Sequence, residues 1–324
     1  MTTPLARLTS RKLAIIGAGS VGASIAYATL IRGHSPHVVL YDVNEKKVGA
    51  EVLDLNHGLQ FVSEATVEGG SDLAICRDAA VVVITAGAKQ KPGQTRLDLA
   101  EANVKILREL LPRLLEVAPD AIYLLVSNPV DVLTDITQQI TGLPRARVLG
   151  SGTVLDSSRF RFLIARRLRV AVSNVHAYIA GEHGDSEIPL WSSASISGIP
   201  LHEWAVPGHG KLSVRDRTEI VQEVKESAYK IVEGKGATHH AIGLATATIL
   251  EAIFDDEQRV LPVSARIENY QGMAELDGVC LSLPSIVGAK GVEPPLPIPL
   301  NPAERAGLIN SAQTIRDAVK RAGF

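Results

Sequence analysis

The sequence predicts an α/β fold: a doubly wound parallel sheet in the first half of the chain, followed by a mixed α+β region. Three observations carry this. Aliphatic runs at residues 13–16, 38–41, 79–85 and 121–126 lack polar alternation, as strands buried on both faces of a parallel sheet do. Segments of helical spacing fall between them, at 23–31, 45–55 and 97–117. Beyond residue 150 the alternation stops, and helical stretches at 155–168, 214–232, 241–254 and 303–321 surround short strand-like pieces near 175–179, 259–264 and 278–283.

Each element has its own local reason. The run at 13–16 stops at Gly17-Ala18-Gly19-Ser20-Val21-Gly22, and the small and aliphatic residues after it suit a helix. The run at 38–41 ends at Asp42, and Val48, Val52 and Leu55 then recur at helical spacing. Residues 86–95 hold glycine, proline, lysine and glutamine without an apolar period, so they read as a loop of about ten residues, a length at which loops often serve as functional lids. Val104, Leu107, Leu110, Leu111 and Leu114 give the next helix its apolar face, with Pro112 expected to kink or break it. Near the end, the proline-rich stretch 293–299 reads as a rigid connector before the last helix.

Composition narrows the function classes. A length of 324 residues suits two domains, and the change of style places the boundary at residue 150, giving 1–150 and 151–324. With 46% hydrophobic and 21% charged residues the chain can fill a core, and a formal charge of −2 offers no cationic field for nucleic acid or anionic lipid. No apolar run reaches the 18 or more residues of a membrane span, and the polar start of the chain lacks a signal core. Two cysteines, Cys76 and Cys280, are too few for a disulfide framework, which fits a cytoplasmic location.

The glycine run follows a predicted strand, opens a predicted helix, and precedes an acid twenty residues past Gly22 at the end of the next strand. In that context it reads as a Rossmann-type dinucleotide site. Gly17 makes the tight turn, Gly19 lets the backbone approach a pyrophosphate, Gly22 permits close helix–strand packing, and Val21 belongs to the same turn. Asp42 would accept from both ribose hydroxyls and repel a 2′-phosphate, favouring NAD over NADP; it could also cap the following helix.

A second cluster is Gly181-Glu182-His183-Gly184-Asp185-Ser186. A histidine between glycines can approach a ligand and exchange a proton near neutrality, although a loop histidine satisfied by backbone would look the same. No complete metal-ligand set accompanies it: HExxH is absent and His239 and His240 are adjacent. In a third cluster, Asp156 and Arg159 are three residues apart and share a helix face. Arg161 is turned from Arg159 by about 200° and should face elsewhere.

Four stretches together resemble the NAD-dependent L-lactate/malate dehydrogenase family: 84–99 with Gln90 and Arg96, Val126-Ser127-Asn128-Pro129, 152–161 with Asp156 and Arg159, and 181–186 with His183. They stand in the family's order and spacing, and the resemblance spans nearly the whole chain. It implies a Rossmann domain followed by an α+β substrate domain, with NAD as cofactor. The activity it implies is hydride transfer between NADH and pyruvate, giving L-lactate and NAD. Oxaloacetate/malate is the alternative, and a non-catalytic NAD-sensing protein on the same fold is another.

By the same resemblance, His183 is the acid/base and Asp156 its carboxylate partner; Arg159 holds the substrate carboxylate, and Arg96 closes over the site and polarises the carbonyl. Asn128 binds substrate oxygen or nicotinamide ribose, Asn128-Pro129 is a candidate cis peptide, and Thr238 lines the pocket. The malate members usually present arginine where this chain has Gln90, which favours the lactate branch. Arg161 and His176 resemble an effector pair that binds fructose 1,6-bisphosphate between subunits, and the family implies a homo-oligomer, with tetramers usual among lactate enzymes.

Overall fold

The first six strands form a parallel sheet wound in both directions from its middle. The computed structural model describes residues 10–87 and 96–324. In chain order come β1 (Lys12–Ile16), α1 (Ser20–Arg32), β2 (His37–Tyr41), α2 (Glu45–Gly58), β3 (Thr66–Gly70), β4 (Val81–Ile84), α3 (Arg96–Val117), β5 (Ile122–Leu125), α4 (Val130–Thr141) and β6 (Val148–Gly150). Their order across the sheet is β3-β2-β1-β4-β5-β6. Winding reverses between β1 and β4, which opens the crevice where α/β sheets of this order bind ligands.

The sheet continues past residue 150. After α5 (Val154–Leu168) come the short strands β7 (Val175–His176), β8 (Ile179–Ala180), β9 (Ile188–Pro189), β10 (Ser195–Ile196) and β11 (Ile199–Pro200). Then follow α6 (Val214–Lys235), α7 (His240–Phe254), β12 (Arg259–Arg266), β13 (Cys280–Gly288), β14 (Gly291–Pro295) and α8 (Pro302–Arg321). β12 pairs antiparallel with β6 through Ser264 and Gly150, and β13 and β14 extend the sheet to nine strands.

Period-two alternation sends each strand's side chains to two cores. Ala14, Ile16, Val82, Ile84, Tyr123 and Leu125 face the leucines of α3 together with α4 and α8. Leu13, Ile15, Val81, Val83, Ile122 and Leu124 face Ile25 of α1 and Ile249, Leu250 and Ile253 of α7. Burial on both faces explains why these strands read as unbroken aliphatic runs. A separate core around Phe160, Ile164 and Trp204 joins α5 to the short strands and α6.

Three readings are corrected. α3 runs through Pro112 without a break, anchored by the buried Leu107, Leu111 and Leu114. Residues 293–295 are not connector but the end of β14, an edge strand, where proline costs no ladder bond. The piece near 175–179 is divided between β7 and β8, which belong to different sheets. Most of the expected loop at 86–95, with Gln90, lies outside the described residues; Arg96 is placed as the first residue of α3, and its side chain lies outside them too.

Candidate active site

The glycine turn sits at the crevice. Gly17 takes φ +107°, a left-handed conformation that L side chains rarely adopt, and its N–H donates to Tyr41 O of β2 at 2.7 Å. A Cβ on Gly22 would run into the carbonyl oxygen of Gly17, so α1 packs against the turn only because residue 22 has no side chain. Above Gly19 the space is open: a Cβ there would meet only Lys47 Nζ, at 3.7 Å. An open cradle over a helix N-terminus, with an ammonium beyond it, fits a dinucleotide pyrophosphate. Val21, next in the turn, is half-buried against the α1 side of the sheet.

Asp42 follows β2, with its carboxylate beside the turn. Oδ2 accepts from Ala18 N–H at 2.8 Å and Oδ1 from Asn44 N–H at 3.0 Å. The cap of α2 is Asn44, which accepts from Lys47 N–H at 3.1 Å, so the capping alternative for Asp42 falls away.

The second half of the site is built where α5 meets the loop between β8 and β9. Gly181 starts that loop at φ +88°, and a Cβ there would press on Ser311 Oγ at 2.6 Å. The turn it permits brings His183 Nδ1 to 2.5 Å from Asp156 Oδ2. Asp156, at the start of α5, is only 2% exposed, and its other oxygen accepts from Arg159 Nη1 at 2.7 Å. With Nδ1–H held by the carboxylate, Nε2 is the ring atom left to exchange a proton with a ligand.

The electrostatics follow from this geometry. The Asp156 carboxylate, working against burial, pushes His183 up to about 9. Burial alone would raise Asp156, but the positive charges of His183 and Arg159 and the hydrogen bond from His183 hold it below its ordinary value. Glu187, on the same loop, is pushed up to about 8 by burial and by the nearby Asp156 charge.

Asn128 lies at the far end of β5, joined to Pro129 by a cis peptide bond, and its carbonyl accepts from Asn103 Nδ2 at 2.8 Å. Thr238 stands in the short connector between α6 and α7 and shares no hydrogen bond with His183, Asp156 or Arg159. Arg161 does part company with Arg159: it donates to Ala177 O at 2.8 Å, stacks over the Tyr178 ring, and lines a separate cavity. That cavity, about 420 Å³, is shared with His176, Arg32, Ser158, Ser173 and Leu244.

Comparison with known proteins agrees with this geometry. Residues 11–150 match the lactate/malate dehydrogenase NAD binding domain, and residues 153–323 match the lactate/malate dehydrogenase alpha/beta C-terminal domain. The chain belongs to the lactate/malate dehydrogenase family. An L-lactate dehydrogenase of Bifidobacterium animalis subsp. lactis is 49% identical over 314 residues, covering 97% of each chain. One from a Synechococcus species is 47% identical over 312 residues, covering 95% of this chain and 98% of that one. Among solved structures, a lactate dehydrogenase from a Medee basin deep-sea metagenome library superposes with a TM-score of 0.92 at 37% identity, covering 97% of this chain and 99% of that one. The minor L-lactate dehydrogenase of Enterococcus mundtii gives 0.91 at 41% identity, covering 96% and 98%.

As a dehydrogenase of this family, the chain has the NAD domain that the glycine turn and Asp42 indicated. Among the described residues no helix is long and apolar enough to cross a membrane. The sequence reading missed Asp131 and Ser311, which hold the His183 loop from α4 and α8. For Asp131 there was one signal: an acid set between valines at the start of a segment whose helical period was not recognised.

Proposed function

We propose that the chain is an L-lactate dehydrogenase, catalysing reversible hydride transfer between NADH and pyruvate to give L-lactate and NAD. The observation that carries the reading is the shared Asp156 carboxylate, which fixes a proton donor, His183, and an arginine fork, Arg159, in one rigid unit. Bound at the glycine turn, NADH supplies the hydride. Everything else falls to side chains. Arg159 binds the substrate carboxylate through the N–H groups not engaged by Asp156. His183, protonated at neutral pH, delivers the proton to the C2 oxygen from Nε2 as the carbonyl is reduced, and Asp156 stabilises the imidazolium beforehand. Arg96 closes over the site and polarises the C2 carbonyl, Asn128 binds the substrate oxygen or the nicotinamide ribose, Gln90 meets the methyl group, and Thr238 helps line the pocket.

The malate alternative needs a cation opposite the second carboxylate of oxaloacetate, and Gln90 is neutral. An NAD-sensing protein would not need the combination of His183, Asp156, Arg159 and Arg96. Comparing NADH oxidation with pyruvate and with oxaloacetate, on one preparation, tests the reading: pyruvate should be the better substrate, and a preference for oxaloacetate would reject it.

The reading extends to organisation. The chain divides into an NAD-binding part, 1–150, and a substrate part, 151–324, and works in the cytoplasm as a homo-oligomer, a tetramer. Fructose 1,6-bisphosphate acts as effector at the cavity of Arg161 and His176. In support, Arg161 and His176 line one cavity of about 420 Å³, together with Arg32, which is paired with Glu251.

A further inference from the structure

Three consecutive N–H groups of the His183 loop are taken up by three different elements. Gly181 N–H donates to Ser282 O of β13 at 2.8 Å, Glu182 N–H to Ser311 Oγ of α8 at 2.5 Å, and His183 N–H to Asp131 Oδ2 of α4 at 2.7 Å. Only the last acceptor is a carboxylate. Asp131 is 2% exposed, and its Oδ1 accepts from Ser282 Oγ at 3.4 Å. A neutral acceptor satisfies the neighbouring amide, so a loop tie alone does not require the cost of burying a charge. Asp131 lies in the first turn of α4.

We propose that Asp131 is a positioning residue for proton transfer: it fixes the main chain of His183 so that the ring meets Asp156, and it places a second negative charge near that ring. The inference rests on the reading of His183 as the proton donor. The charged groups that face His183 are Asp156 from α5, Asp131 from α4 and Glu187 from its own loop. Those around Asp131 are His183 and Glu182, with the hydroxyls of Ser264 and Ser282 from β12 and β13. Burial pushes Asp131 up to about 6, so above that pH it adds to the pull of Asp156 on the imidazolium. One turn further along α4, Asp135 Oδ2 accepts Cys280 N–H at 2.9 Å, so the helix grips β13 as well as the loop.

Asp131→Asn keeps an oxygen for the His183 amide and removes the charge. The His183 imidazole titration, followed by NMR and assigned with His183→Asn, should fall by at least about half a pH unit. The alkaline limb of pyruvate reduction should move down with it, while the pyruvate KM changes less than about threefold, because Arg159 is untouched. Asp131→Ser, which retains only a shorter neutral acceptor, should lose more kcat than Asp131→Asn at similar KM. NADH binding reports that each variant is folded. In the unmodified protein the His183 amide proton shift should itself titrate near pH 6 with Asp131, a readout independent of any variant. A flat amide shift, or a His183 titration unmoved in Asp131→Asn, would overturn the inference. If the unmodified protein reduces neither pyruvate nor oxaloacetate while the His183 titration still follows Asp131, the functional reading fails and the positioning role stands.

Discussion

His183 Nδ1 lies 2.5 Å from Asp156 Oδ2, and the second oxygen of that carboxylate is 2.7 Å from Arg159 Nη1. Two cations therefore share one buried anion. In the proposed reaction, the proton donor for the C2 oxygen and the fork for the C1 carboxylate are thus held at a fixed separation before substrate arrives. Preorganisation of this kind leaves little reorganisation for the chemical step.

The pair sets the pH dependence. Pyruvate reduction needs the imidazolium, so its kcat/KM should be flat at neutral pH and fall about tenfold per unit as pH rises beyond about 9; lactate oxidation needs the neutral ring, so it should rise as pH approaches about 9 and level off above it. Asp156→Asn removes the largest cause of the raised value, so both limbs should move to lower pH, with kcat reduced at least about tenfold. By linkage, a raised histidine stabilises the fold fully below its ordinary value near 6.5, and that contribution is lost as pH climbs through about 9. pH–rate profiles of both directions check this; limbs that stay in place in the variant would refute it.

Cofactor choice should follow Asp42. Its two oxygens are pinned by Ala18 N–H and Asn44 N–H, so the negative charge cannot swing away from a 2′-phosphate. NADH should be preferred over NADPH by at least about tenfold, or about 1.4 kcal/mol, and Asp42→Ser should narrow the gap. Equal use of both cofactors by the unmodified protein would refute the assignment.

What the sequence disclosed depended on burial. The strands β1, β2, β4 and β5 were legible because both faces are covered and, after the leading Lys12 and His37, every residue is apolar. β3 was not, since Thr66, Glu68 and Gly69 sit at the sheet edge and only Val67 is buried. α4 escaped for the opposite reason: Asp131, Thr134, Asp135, Thr137 and Gln138 are all buried, so polar residues occupy the face that should read as apolar. In the site, the histidine loop and the Asp156–Arg159 spacing were each visible, but their meeting across 27 residues is a product of tertiary packing. Asp131 acts through main chain, and main-chain partners leave no side-chain motif.

The proposed effector cavity gives a further test. Arg161 is held against Ala177 O and Tyr178 and lines the cavity with His176 and with Arg32, which is paired with Glu251. Fructose 1,6-bisphosphate should lower the apparent pyruvate KM by roughly fivefold or more, as a coupling of about 1–3 kcal/mol would. Arg161→Gln should abolish that response while leaving turnover at saturating pyruvate unchanged. No response of the unmodified protein between pH 6 and 8 would rule the effector out.

Substrate choice should turn on Gln90. Pyruvate presents a methyl group where oxaloacetate presents a second carboxylate, so a closed site must accept either a neutral group or an anion there. Enclosing oxaloacetate would leave its distal carboxylate without a matched cation, and an unpaired buried charge costs several kcal/mol even after relaxation. Discrimination for pyruvate should therefore be on the order of a hundredfold in kcat/KM, about 2.7 kcal/mol of differential transition-state binding. Gln90→Arg should reverse it, because a guanidinium pairs with the distal carboxylate and is itself left unpaired opposite a methyl group. In the proposed mechanism Arg159 and His183 act on the half of the substrate common to both acids, and neither their contacts to Asp156 nor the Asp131 tie involves residue 90. Turnover should thus survive while preference moves. If the substituted enzyme still prefers pyruvate, residue 90 does not face the substrate tail, and the flanking Lys89 and Lys91 become the positions to substitute next.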